Sequence, residues 1–374
     1  MKKLLVLFIV CATFIPTALF AQEVYDPYQG TYRAKVVDII DEEFRELPGL
    51  DTPHLFQTLE VTILNGPQEG STVTTSNDYL KLETGDKFFF NYDVDVDGTE
   101  RYTVVNRDRR GALVWLFILF VAVIIFFARW QGVRSLIALG LSFLAIIYVL
   151  IPGILNGWNP LFASFLVAAG ILFAAIYFTH GFNRESTVAY TGTMLAVVIT
   201  GVIAIISVNI TDLSGFTGDE TTYLNFNTQG LINFQSLLLG AIIIGILGVL
   251  DDIAVTQAAV VTELYNSNNS ITPKEVYARA MRVGREHVGA LVNTLVLAYT
   301  GVSLPLVLYF SMSPAGFGSI VNLEIFATEI VRMIISSIGL VLTVPIVTGL
   351  AVIYLKDYKP KHTHKPACAH GHSH

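Results

Sequence analysis

Residues 233–262 read Asn233-Phe-Gln-Ser-Leu-Leu-Leu-Gly-Ala-Ile-Ile-Ile-Gly245-Ile-Leu-Gly248-Val-Leu-Asp251-Asp252-Ile-Ala-Val-Thr256-Gln257-Ala-Ala-Val-Val-Thr262, and this stretch decides how the chain is built. Apart from one pair of acids it is mostly apolar for longer than the ~20 residues that carry a helix across a hydrocarbon core. Comparable blocks recur at 112–128, 135–155, 160–179, 187–209, 287–310 and 327–355, which predicts a polytopic helical bundle of about seven spans. Composition agrees: the 374 residues are 53% hydrophobic and only 14% charged, where a soluble protein carries about 25% charge. Lipid is therefore expected as the solvent for much of the chain, and no stretch reads as a soluble enzyme. The formal net charge of -7 gathers acids crowded near the N-terminus and implies neither a nucleic acid nor an acidic partner.

Outside the bundle the chain divides into three further parts. Residues 1–21 begin Met1-Lys2-Lys3 and continue apolar to Phe20, the pattern of a secretory signal peptide or an uncleaved N-terminal anchor. Residues 22–110 are rich in Asp and Glu and hold short β-branched runs at 32–40, 55–64, 72–75, 87–94 and 102–105, with Gly66, Gly70, Gly85 and Gly98 between or beside them. That alternation predicts about five strands in a small extracytoplasmic β domain, with an OB-like barrel as the nearest architecture. The bundle is expected over 111–356 and a cytoplasmic tail over 357–374. Cys11 and Cys368 stand in settings too different to pair.

Charge placement orients the spans. With the N-terminal domain outside, the inner loops hold Arg129, Arg134, Arg184, Lys274, Arg279, Arg282 and Arg285, and Lys356 begins the basic tail. The outer loops hold Asp212, Asp219, Glu220 and Glu324 without Lys or Arg, which is the positive-inside bias. Thr272-Pro273 is a helix start, and Val276, Ala280, Val283 and His287 share a face, so 272–287 reads as a separate amphipathic helix along the cytoplasmic surface.

Two adjacent carboxylates inside a span cost about 2.5–3.5 kcal/mol each near its centre, so such residues usually have work to do. Steps of three and four place Gly245, Gly248, Asp252, Thr256, Ala259 and Glu263 on one small or polar stripe. Gly245 and Gly248 would let a neighbouring helix approach. Adjacent acids do not both ionise easily where water is scarce, so the pair is expected to titrate as one unit, which makes it a candidate proton carrier. Asp251, Asp252, Thr256, Glu263, Asn293 and Thr294 form the candidate relay, with His287, Tyr299, Glu329, Arg332, Ser336 and Ser337 as further polar groups on the next two spans. Glu329 and Arg332, one turn apart, can satisfy each other. A plainer reading places the acids at the cytoplasmic end of a tilted helix; against it stands the apolar continuation 253–261. An intramembrane aspartyl protease needs acids facing each other from different helices, and no other span carries Asp.

The tail carries His362, His364, Cys368, His370, His372 and His374, enough imidazoles and a thiol to hold a transition metal such as zinc or nickel. No other cofactor is expected.

Two resemblances follow. Gly248-Val-Leu-Asp251-Asp252-Ile-Ala-Val-Thr-Gln-Ala-Ala, with Gly284-Arg285-Glu286-His287-Val-Gly-Ala-Leu-Val-Asn293-Thr294-Leu-Val-Leu-Ala-Tyr299-Thr-Gly301, resembles the signature of the YibE/F family of bacterial membrane proteins, which implies location in the cytoplasmic membrane. More distantly, the acidic span is similar to the Gly-x-x-x-Asp-Asp helix of resistance-nodulation-division and secretion-factor transporters, although Leu247 stands at the glycine position. That likeness implies Asp251 and Asp252 as a proton-relay pair, followed by Glu263, a cytoplasmic helix over 271–281 and spans like those containing Pro305 and Pro345. The external domain is far smaller than in those transporters, and only one half of their duplicated bundle is present. The likeness therefore implies a second copy or a paralogous membrane subunit.

The expectation is a multi-pass transporter or export component coupled to proton movement, acting on an unidentified small molecule or ion. A divalent-metal transporter with a sensing tail and a non-transporting scaffold or sensor are the alternatives.

Overall fold

The structure is a computed structural model that describes residues 29–46, 53–95, 97–268 and 270–356. The expected signal or anchor segment and the His-rich tail lie outside the described residues. Two compact units divide the chain at Phe127/Ala128.

Among its described residues the N-terminal unit holds five strands, β1 (Gln29–Arg45), β2 (His54–Ile63), β3 (Thr72–Asn77), β4 (Lys87–Val94) and β5 (Glu100–Arg107). All neighbours are antiparallel, in the order β3-β2-β1-β4-β5. The long β1 serves two partners: its first part pairs with β4 and its later part with β2, and two register shifts lie along the β2 side. Such irregularities bend a strand and increase its twist. The sheet accordingly curls into a half-barrel around Val36, Leu59, Val61, Phe88, Phe90 and Val104. Its edges meet through a side chain, Thr75 Oγ1 donating to the Tyr102 carbonyl at 2.6 Å. Five strands match the expectation, and each expected run lies within or largely overlaps one of them.

At the end of this unit, Asp108 grips the start of the first long helix. It accepts from Arg110 Nε at 2.8 Å and Nη2 at 2.6 Å, and from the Arg110 backbone N–H at 3.1 Å. The Arg110 side chain holds the Asp108 carboxyl down to about 2. A depressed carboxylate stabilises the fold above its ordinary value, and the contribution is lost as pH falls through the folded value. Thermal unfolding measured between about pH 5 and pH 2 should therefore show a stability loss that Asp108→Asn removes.

The helical unit follows from long apolar segments bounded by strong caps. Among the described residues the helices are α1 (Arg110–Ala145), whose first half up to Phe127 belongs to the N-terminal unit, α2 (Ile151–Leu155), α3 (Pro160–His180), α4 (Arg184–Ile210), α5 (Asp219–Asn227), α6 (Phe234–Ser267), α7 (Pro273–Val302), α8 (Leu304–Ser311), α9 (Phe317–Val321) and α10 (Glu324–Tyr354). A π turn, Ile146–Leu150, joins α1 to α2. Asn159, Asn183, Asn233 and Thr272 cap α3, α4, α6 and α7, each side chain accepting from a backbone N–H in the first turn. These bonds satisfy donors that a helix start leaves open, worth about 1 kcal/mol each.

Among the described residues, five helical segments are long and apolar enough to cross a membrane, and the bent pair α7–α8 makes a sixth where it is counted as one span. The longest, Arg110–Leu155, has 46 residues, about twice the ~20 needed for one crossing. Arg129 interrupts it with a non-helical backbone, φ 49° and ψ −132°.

The structure corrects the expected boundary at 287. Residues 272–287 are no separate surface helix, because α7 runs unbroken from Pro273 to Val302. Its buried face is Val276, Ala280 and Gly284, while Val283 is exposed. The break falls at Ser303, where the chain turns by 60° into α8. Pro305, at the start of α8, cannot donate to the preceding turn. Pro345, by contrast, is accommodated within α10.

Helix α6 is the hub, packed by α3, α4, α7 and α10. In lipid, apolar burial gives helices little reason to associate, so close approach and hydrogen bonds carry the packing. Glycines mark the approaches: a Cβ on Gly240 would meet Ser164 Oγ at 2.3 Å, on Gly192 Val347 Cγ2 at 2.7 Å, and on Gly339 Thr200 Oγ1 at 2.7 Å. Within this core Thr348 Oγ1 donates to Gln257 Oε1 at 3.1 Å, joining α10 to α6.

On the far side of α4, the loop after Leu213 is clasped by the start of α10. Glu324 Oε1 accepts from the backbone N–H groups of Ser214 and Gly215, both at 2.7 Å, and the Ser214 hydroxyl lies 2.8 Å from each carboxylate oxygen.

Candidate functional site

Asp251 and Asp252 sit midway along α6, one half-buried and one exposed. Successive helical residues point about 100° apart, yet both carboxylates reach the wall of one cavity of ≈ 390 Å³. The cavity lies between α6, α3 and the second half of α1, continuing to Ile146 where the π turn begins. Its walls are mainly apolar, including Leu139, Leu172, Ile176, Leu247 and Val255. Polar groups enter from each helix: Ser135 and Ser142 from α1, Thr179 and His180 from α3, and the two acids from α6. The Ser142 hydroxyl already donates to the Ala138 carbonyl at 2.9 Å. Among the described residues neither acid belongs to an ion pair.

The expected stripe on α6 divides here. Gly248 lines the cavity, with nothing within 4 Å of an added Cβ. Gly245 lies outside the wall, and its Cβ would meet the Tyr299 hydroxyl at an ordinary 3.5 Å. Thr256 is half-buried and Glu263 exposed, and neither belongs to the wall, which ends on α6 at Val255. Helix α3 stops at His180, so nothing from it continues alongside the next turns of α6.

Asn293 and Thr294 lie on an exposed face of α7, where Thr294 Oγ1 donates to its own helix at Ala290. They do not meet the acids. Tyr299 and Glu329 line a second, nearly apolar cavity of ≈ 330 Å³ with Phe310 and Phe326. Glu329 accepts from Arg332 Nη1 at 2.7 Å, the pairing their spacing suggested. Ser336 is buried on α10, Ser337 donates to Met333, and His287 is half-buried.

The apolar residues that follow the acids are covered by protein. Ile253, Ala254, Ala258 and Val261 are buried, and their clusters draw in residues of α4, α7 and α10. Their hydrophobicity therefore does not by itself require a bilayer at that level, and the sequence argument against acids near the cytoplasmic end loses its force.

Sequence reasoning missed His180. It stood alone at a helix end, and the only available cue was an imidazole on the same expected side of the membrane as the end of α6. Among the described residues no group of three or more His, Cys, Asp or Glu is placed to hold a metal ion.

A family model described as YibE/F-like protein matches residues 116–357, a stretch that contains every wall residue of the acidic cavity. No curated protein and no solved structure matches. The match spans well over half of the sequence, and the chain therefore belongs to the YibE/F-like family.

Proposed function

We propose that this protein is a multi-pass component of a bacterial cytoplasmic membrane that couples proton movement to transport or export, with Asp251 and Asp252 as the proton-carrying pair. The observation that carries the reading is the placement of two neighbouring carboxylates in a mostly apolar cleft between three long apolar helices. A proton taken up there removes a charge whose burial is costly, and its release restores that charge, so protonation can bias how the three helices pack. Moving one charge across the membrane yields about 2.3 kcal/mol per 100 mV, enough to shift a two-state bundle. A scaffold role predicts tight, dry packing around Asp252, whereas Asp252 is exposed to an open cleft.

In this reading the break at Arg129 divides Arg110–Leu155 into two spans, giving seven with the bent pair α7–α8. The N-terminal half-barrel then lies outside and the C-terminus inside. A second copy or a related subunit covers the exposed Asn293–Thr294 face of α7, since amide and hydroxyl groups facing lipid are costly.

The test is pH-driven flux in proteoliposomes. Asp251→Asn and Asp252→Asn are each expected to reduce it by at least about tenfold, the equivalent of ~1.4 kcal/mol in a rate-limiting step. Unchanged flux in both variants removes the relay.

A further inference from the structure

The cleft holds a third ionisable group that the proton-carrying reading does not use. His180 is the last residue of α3, followed by Gly181 at φ 84°, so its ring stands where the helix ends. It is exposed and also lines the cleft. Among the described residues the wall contributes no other charged group: α1 supplies Ser135 and Ser142, α3 supplies Thr179, and α6 supplies only the two acids. Asp251 and Asp252 are the acids that share this wall with the imidazole. A helix C-terminus also favours a cation within its last turn.

We propose that His180 exchanges protons between the Asp251–Asp252 pair and the aqueous phase at the end of α3. The proposal rests on the proton-carrying reading of the pair. The step is balanced: an imidazolium N–H bond breaks as an O–H bond forms on a carboxylate oxygen, so a cation and an anion become two neutral groups without change in net charge. The neutral arrangement suits the apolar side of the cleft, and the ionised one suits the side open to water. An imidazole is fitted to this place because its ordinary pKa of about 6.5 lets it gain and lose a proton at cellular pH.

The experiment uses the full-length protein in lipid nanodiscs and follows the carboxyl C=O stretch by infrared spectroscopy as pH is varied. Asp251→Asn and Asp252→Asn identify the bands. His180→Gln removes the compensating cation and is expected to move the carboxyl midpoint upward by about 1 pH unit, the scale of losing a nearby opposite charge. His180→Arg supplies a fixed cation and is expected to keep the midpoint at or below the wild-type value. An unchanged midpoint in His180→Gln overturns the proposal, as does an upward shift in both variants. If the midpoint moves as expected while Asp252→Asn leaves vesicle flux intact, the His180 coupling stands and the transport reading falls. Lost flux in Asp252→Asn with an unmoved midpoint in His180→Gln has the opposite meaning.

Discussion

Gly284→Ala is expected to destabilise the bundle by about 1–3 kcal/mol, the usual cost of inserting a carbon into a filled interface. Gly284 is buried on α7 where α6 and α10 converge. A Cβ there would stand 2.4 Å from Val344 Cγ1 on α10 and 2.5 Å from Gln257 Nε2 on α6. The valine methyl can rotate, but the amide has less freedom because Gln257 Oε1 accepts from Thr348, itself fully buried. Relieving the clash therefore strains a hydrogen bond worth about 0.6 kcal/mol in membrane interiors, or separates the helices. Thermal unfolding in detergent measures the loss, and Gly289→Ala on the same helix is the control. Nothing lies within 4 Å of a Cβ at Gly289, so that change should be neutral or stabilising by up to about 1 kcal/mol. Equal stability of the two variants would remove Gly284 as the close-packing point of the three helices.

Gly215→Ala is expected to cost more, about 3 kcal/mol, because two mechanisms of severe destabilisation combine. Gly215 has φ 88°, where an L residue pays roughly 1–2 kcal/mol. Its Cβ would also stand 2.3 Å from the Phe234 carbonyl oxygen and 2.5 Å from the carbonyl carbon, at the first turn of α6. Backbone cannot swing aside as a side chain does. The Gly215 N–H is meanwhile held by Glu324, so moving the loop breaks the clasp between the end of α4 and the start of α10. Gly230→Ala isolates the backbone part, since φ there is 76° and the nearest atom to its Cβ is 4.0 Å away. The difference between the two melting shifts should be at least about 1 kcal/mol, and its absence would show that the loop relaxes freely.

The helical fold was legible because crossing a bilayer demands about 20 apolar residues in a row, a local requirement written directly into composition. The strands were legible for a similar reason: alternation in 54–63 marks Leu59, Val61 and Ile63 as the inward residues of β2. Ends were harder where covering changed without a change in backbone. The polar surface of 273–286 read as a boundary, yet α7 continues through it, because Val276, Ala280 and Gly284 pack on protein there. The packing glycines show the same limit. Gly245 and Gly248 share a stripe, but close approach occurs at Gly240 and Gly284, chosen by which neighbours happen to lie opposite.

The acids could be found from local chemistry alone, since two carboxylates in an apolar run are conspicuous wherever they fold. Their surroundings could not. The cleft joins residues from α1, α3 and α6 that lie far apart in sequence, and helical periodicity on α6 gives no sign of where α3 stops. That is why the stripe on α6 joins Thr256 and Glu263 to Asp252 and gives no sign of His180.

The doublet occupies a confined cleft within the bundle. Thiol modification at Gly248→Cys and Val255→Cys, which flank the acids in the wall, tests it most directly in protein lacking Cys11 and Cys368. Glu275→Cys, at an exposed position in the first turn of α7, serves as the fully hydrated reference. The cleft predicts modification by a membrane-impermeant reagent that is far slower than at residue 275 and confined to the side where α3 ends. Reaction at both flanking positions as fast as at residue 275 would place the acids in bulk water and leave no confined cleft around them.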